Sequence, residues 1–237
     1  MLDQLASTSI DLNPQTFLVL LVLVALEAVL SADNAVALAA IAQGIPSLKE
    51  QRRALNVGLI LAYVLRIVLI LTATWVVQFW QFELLGAAYL LWLVFNYFTS
   101  KEDEKTHHHT LGNKSFWQTI PLIALTDLAF SLDSVTTSIA VADETWLILV
   151  GGTVGVITLR FLAELFIKWL QEYTYLEDAG FVTVALVGVR LLLKVFDSPL
   201  VPPEWLMVSA IIIIFTWGFS KKNNNVNNEV VPQSETD

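Results

Sequence analysis

Ala25–Ala42 reads ALEAVLSADNAVALAAIA, and Leu125–Ala142 reads LTDLAFSLDSVTTSIAVA. Laid over each other at a shift of 100 residues, Glu27 falls on Asp127, Ser31 on Ser131, Asp33 on Asp133 and Asn34 on Ser134. The likeness continues downstream at a shift of 94, where Gly58 meets Gly152, Arg66 meets Arg160, Glu83 meets Glu177 and Gly86 meets Gly180. Polar residues superposing in order along three successive apolar segments define an internal repeat. A membrane-spanning helix needs about 20 apolar residues, and seven segments qualify or come near: 17–42, 54–77, 84–98, 119–141, 147–170, 181–196 and 205–219. Three spans per repeat is an odd number, so the second repeat is upside down relative to the first, an arrangement that recurs in secondary transporters. The expected fold is an all-α polytopic membrane protein with seven transmembrane helices, two inverted three-helix repeats plus one extra helix. Along the chain this gives an extracytoplasmic segment 1–16, a first repeat 17–98, a charged, His-bearing cytoplasmic loop 99–116, a second repeat 117–196, a seventh helix 197–220 and a disordered tail 221–237.

Composition agrees with a chain mostly out of water. Of its 237 residues 56% are hydrophobic and 15% charged, against about 25% charged in soluble domains. The net charge of −9 speaks against nucleic acid as a partner. The absence of cysteine removes disulfides, thiol catalysis and thiolate metal sites. No Walker phosphate loop and no nucleophile–base pairing stand out, so an enzyme is not expected. Residues 1–15 are acidic rather than basic, so the first apolar stretch is expected to stay as a helix. Lysine and arginine (Lys49, Arg52, Arg53, Lys101, Lys105, Lys114, Lys168, Lys221, Lys222) gather at one set of helix ends, whereas the other set has Lys194 alone. The expected orientation is therefore amino terminus outside and carboxyl terminus in the cytoplasm. Trp80, Trp117, Trp146, Trp169 and Trp205 near span ends suit the interfacial belt.

Glu27, Asp33, Asp127 and Asp133 lie in mid-span. A charge there costs about 2.5–3.5 kcal/mol on insertion scales, so four cost on the order of 10 kcal/mol unless compensated. Arg160 and Glu164, four apart, can pair on one helix. That leaves four acids against Arg66 and Arg190, a deficit of two positive charges which one divalent cation or two protons would fill. The candidate metal ligands are Glu27, Asp33, Asn34, Asp127, Asp133 and Ser134, with the hydroxyls of Ser31 and Ser131 nearby. Such oxygen donors suit Mg²⁺, Ca²⁺ or Mn²⁺. On a regular helix Asp33 lies well off the face of Glu27, so either the helix breaks near Ser31 or the two acids serve separate steps. A structural salt-bridge network is the plain alternative. His107–His109 read as a solvated loop run, with metal sensing as the sharper alternative, and Glu83 and Glu177 read as interfacial.

Both acidic motifs, Glu27 with Leu30-Ser31-Ala32-Asp33-Asn34 and Asp127 with Phe130-Ser131-Leu132-Asp133-Ser134, resemble those of the TerC family of integral membrane proteins, over about residues 17–219. The resemblance implies a place among small inverted-repeat transporters of the lysine-exporter type. The family is named for tellurium resistance. Bacterial members are associated with manganese efflux or metal supply to exported proteins, and a plant member with thylakoid membrane biogenesis. Charge count and resemblance together lead to an expected secondary transporter that exports divalent cations, Mn²⁺ first and Ca²⁺ or Mg²⁺ as alternatives, in exchange for protons. No tightly bound cofactor is expected. The expected partners are the ion, the lipid bilayer of a plasma, inner or thylakoid membrane, and further copies or other membrane proteins. The rival expectation is a non-transport scaffold or assembly factor, or a part of a tellurium-resistance complex; export of an organic solute fits the negative site less well.

Overall fold

Inside lipid every backbone amide must find its partner within the protein, and a helix does this within one segment. The computed structural model, which describes residues 14–104, 115–142, 144–196 and 200–223, forms seven helices from the seven apolar segments. They are α1 (Pro14–Gln43), α2 (Leu48–Val76), α3 (Trp80–Glu104), α4 (Phe116–Val141), α5 (Thr145–Glu172), α6 (Leu176–Val195) and α7 (Glu204–Gly218). The starts follow local chemistry. Proline opens α1, where its missing N–H costs nothing, and Ser115 with Gln118 forms a capping box at α4. Trp80, Trp117, Trp146 and Trp205 each fall within the first two residues of a helix.

Five helices, α1 to α5, are long and apolar enough to cross a bilayer. The other two depart from that standard for separate reasons: α6 has 20 residues but carries Glu177, Asp178, Arg190 and Lys194, and α7 has 15 residues. The chain is an all-helical, polytopic membrane protein among the described residues. Several expected boundaries move. The third segment, expected at 84–98, extends over Trp80–Glu104 and takes in the first part of the loop placed at 99–116. Pro14–Thr16, placed in the amino-terminal segment, belong to α1. Lys221–Asn223, placed in the disordered tail, are held at the α5–α6 turn, where Thr174 N donates to Lys221 O at 3.1 Å and Asn223 N to Glu172 O at 2.6 Å. His107–His109 lie outside the described residues.

Packing repeats the sequence duplication. The two most extensive interfaces are α1 on α5 and α2 on α4, which the repeat exchanges; α3 on α4 and α6 on α1 form a second exchanged pair, while α3 meets α6 and α1 meets α4 across the repeats. Matched glycines lie on matched seams, one helical turn apart in register: Gly86 of α3 lies against Leu132 of α4, and Gly180 of α6 against Val36 of α1. Small residues at such seams let helix backbones come close where no hydrophobic drive exists. α7 stands outside the repeat and packs on α6, with Gly218 against Ala179 and Leu176. Its end also meets α5 through Phe215 and Phe219, which pack on Phe166 and Trp169.

α1 and α4 are central. Every residue of α1 from Asn34 to Ala42 is buried, more than two full turns, so this half of the helix is surrounded. α2 shows the opposite design. Val57, Ile60, Leu61, Val64 and Val68 form an exposed apolar stripe, while Gln51, Gly58 and Arg66 share the buried face. Apolar outside with polar inside is what lipid as solvent demands.

Candidate functional site: a buried carboxylate core

Arg66 is 2% exposed and organises the centre of the molecule. Its Nη1 donates to Glu27 Oε2 at 3.0 Å, its Nη2 to Asp127 Oδ1 at 3.5 Å and its Nε to Ser131 Oγ at 2.9 Å. Glu27 comes from α1, Asp127 and Ser131 from α4, and Arg66 from the α2 face that packs on α4. The repeat-related acids thus meet on one guanidinium. Room for them is made by Gly155 of α5, where a Cβ would lie 2.7 Å from Glu27 Oε2. The matched serines do matched things. Ser31 Oγ donates to Glu27 O at 2.5 Å and Ser131 Oγ to Asp127 O at 2.7 Å, each four residues back. Thr126, Thr136, Thr153 and Thr183 make the same bond, which is how hydroxyls are satisfied on helices in lipid. Ser131 alone among these also accepts from Arg66.

Both helices run unbroken through Ser31 and Ser131. The expected alternative of a helix broken at Ser31 is therefore not what forms, and the acids separate along regular helices instead. Asp133 lies six residues beyond Asp127, about 9 Å further along the axis, and belongs to a second cluster. It accepts from Arg190 Nη1 and from Lys194 Nζ, the latter at 2.5 Å, both on α6. Lys194 corrects the charge count: read from sequence as an end residue, it is a partner of Asp133 and reduces the deficit from two positive charges to one. Asp33 belongs to α1, but its side chain lies outside the described residues. Asn34 and Ser134 are buried, Ser134 Oγ lying 3.4 Å from Ser131 O. Arg160 pairs with Glu164 at 2.8 Å as expected, and Arg52 joins that pair at 3.4 Å.

The six candidate ligands thus divide. Glu27 and Asp127 come together with the serines, and Asp133 is held apart by its own cations. Among the described residues no three of His, Cys, Asp and Glu gather as a preformed metal cage. Counted as ionised groups, Glu27, Asp127 and Arg66 sum to one negative charge, out of contact with water. Sequence reasoning missed Lys194 and also the contact of Tyr97, whose hydroxyl donates to Asp178 Oδ1 at 2.8 Å while its ring stacks on Phe181. The i, i+4 spacing of Arg190 and Lys194 was the available signal for the first.

Fold and site define an integral membrane protein built from two repeats around a buried ion-pair core. The chain belongs to the TerC family: the model of the integral membrane protein TerC family matches residues 12–225. Similar proteins include the uncharacterized membrane protein YceF of Bacillus subtilis, 35% identical over 176 residues, which cover 71% of this chain and 68% of that protein. YkoY of the same organism is 37% identical over 196 residues, 74% of this chain and 59% of that protein. Thylakoid membrane protein TERC of Arabidopsis thaliana is 29% identical over 178 residues, 63% of this chain and 46% of that protein. No solved structure matches.

Proposed function

We propose that this protein is a secondary transporter that moves a divalent cation, Mn²⁺ before Ca²⁺ or Mg²⁺, out of the cytoplasm in exchange for protons. The observation that carries the reading is the pairing of two repeat-related carboxylates, Glu27 and Asp127, on the single guanidinium of Arg66. An uncompensated charge away from water is expensive, and such groups in membranes mark ion pathways. One proton restores the balance and a divalent cation more than offsets it, so the same carboxylates serve both species. The oxygen donors beside them, Ser31 and Ser131, favour hard ions, as do Asn34 and Ser134 about two turns further along the same helices. Asp33 and Asp133 complete the acid set, with Asp133 exchanging between its own cations and the cargo as the repeats rock. With the amino terminus outside and the carboxyl terminus in the cytoplasm, export of a divalent ion against an inside-negative potential costs about 4.6 kcal/mol per 100 mV. A proton gradient supplies that work.

The test is Mn²⁺ flux into proteoliposomes with and without an imposed pH gradient. Gradient-dependent flux by wild-type protein, competed weakly by Ca²⁺ and Mg²⁺, is the expected result. Folded protein that moves none of the three ions at any gradient refutes transport and returns the scaffold reading to first place.

A further inference from the structure

Where α2 begins and α5 ends, a further group of charges reverses the balance of the Arg66 core. Arg160 Nη1 donates to Glu164 Oε2 at 2.8 Å and Arg52 Nη1 reaches Glu164 Oε1 at 3.4 Å, so two guanidiniums share one carboxylate. At these two helix ends Lys49, Arg52, Arg53, Arg160 and Lys168 outnumber Glu50, Glu164 and Glu172, and Glu172 has Lys222 besides at 3.7 Å. Directly inward of the Arg52–Glu164 contact, α2 and α5 part into an apolar groove of about 450 Å³. Ile60, Ile157 and Phe161 line it and are exposed, so it opens toward lipid. Arg160 and Asn56 stand at its charged end, and Asn56 Oδ1 is buried there without a hydrogen-bond partner. The hydroxyls of Tyr63 and Thr153, 3.0 Å apart, close the other end. These two ties between the helices are eleven residues apart on each, about 16 Å.

We propose that the α2–α5 groove and its basic rim bind one anionic phospholipid of the phosphatidylglycerol type, with the phosphodiester on Arg52 and an acyl chain laid along the groove toward Tyr63. Basic pockets between helices at a membrane face take lipid headgroups. The charge matches: the Arg52–Glu164–Arg160 group has one positive charge to spare, and such a lipid brings one negative charge. A zwitterionic lipid carries its own ammonium and leaves that charge unmatched. Arg52 is the free arm, because its side chain is 45% exposed and its contact with Glu164 is the longer one. When Arg52 turns to phosphate, whose oxygens a guanidinium grips in pairs, Glu164 keeps Arg160 and no acid is stranded. Asn56 lies one turn further in, at the level of the glycerol esters, where rotation of its amide presents NH2 to an ester carbonyl. A second copy docked here in twofold fashion would set two basic rims against each other, a repulsion that opposes pairing. Lipid binding at this seam requires no transport.

Native mass spectrometry tests this on the purified chain, stripped of lipid and titrated with phosphatidylglycerol or with phosphatidylcholine of identical acyl chains. The expected result is one phosphatidylglycerol per chain, held about five-fold or more tighter than phosphatidylcholine. Arg52→Gln should remove that preference by weakening phosphatidylglycerol alone, and Arg52→Lys should recover part of it. Lys221→Gln takes an equal charge from the same membrane face, at the α5–α6 turn and off this seam, and should leave the preference intact. Ile157→Trp fills the groove and should weaken both lipids. Equal affinity of wild type for the two lipids overturns the proposal. So do equal losses in Arg52→Gln and Lys221→Gln, which would reduce binding to general surface charge, and unchanged binding by Ile157→Trp. A dimer that Ile157→Trp dissociates would make the groove a subunit interface and overturn it as well. Should the stripped protein unfold, lipid carried through purification decides: wild type should retain phosphatidylglycerol enriched over the surrounding membrane and Arg52→Gln should not, while equal enrichment in both overturns the assignment.

Discussion

Two clusters of buried charge meet on the same helix, and they hold their carboxylates differently. Around Arg66 two carboxylates share one cation; around Asp133 one carboxylate sits between two cations, Arg190 and Lys194. In the second cluster Asp133 accepts from both cations, and Lys194, 23% exposed on its side chain, still reaches the surroundings. The first is under-compensated and closed, with the Asp127 side chain fully buried. Asp127 shares one cation with a second carboxylate whereas Asp133 has two cations within reach, a difference that their common residue type hides. The cluster that lacks positive charge is the one able to take up a cation or a proton.

Removing groups one at a time turns this contrast into numbers. Arg66→Gln should have the largest effect, because two carboxylates lose their cation at once. Breaking a buried pair costs about 3–5 kcal/mol, and this variant should lie at the upper end. Thermal unfolding in detergent checks it, and a shift no larger than that of Asp133→Asn would mean that Arg66 is not the centre of the core. Asp133→Asn should cost about 3 kcal/mol, the lower end of the same range, because Lys194 can turn outward when its partner goes. Gly155→Ala should follow at about 1–3 kcal/mol, since the added methyl presses on Glu27 Oε2; its effect on Mn²⁺ binding should exceed its effect on melting. Lys194→Met should be nearly silent, below about 1 kcal/mol, because Asp133 keeps Arg190 as a partner.

Much of this could be seen in the sequence, for identifiable reasons. Matched polar residues at constant shifts disclose the duplication, and the odd number of spans discloses its inversion. The cost of charge in lipid marks Glu27, Asp127 and Asp133 as residues needing partners. Which cation each one finds was not legible. Helices such as α1 and α4 are apolar nearly all round, so no hydrophobic face fixes their rotation before packing does. Hence Arg66 could be named as a partner, but its grip on acids from both repeats could not. The seating of Gly151 and Gly155 of α5 against Leu23 and Glu27 of α1 is likewise a product of packing and leaves no mark on the repeat alignment. Lys194 was set aside because it ends a helix, although its place four residues after Arg190 put both on one face.

The most direct test of the central claim is equilibrium binding of Mn²⁺ to purified protein, read from the free-ion paramagnetic resonance signal, for wild type, Asp127→Asn and Lys194→Met. Asp127→Asn removes the excess negative charge and leaves Glu27 and Arg66 as a balanced pair. The account predicts saturable binding by wild type and Lys194→Met, and its loss in Asp127→Asn with the melting temperature nearly unchanged. Wild-type affinity in a folded Asp127→Asn protein would contradict it, and would place the cation somewhere other than the Arg66 core.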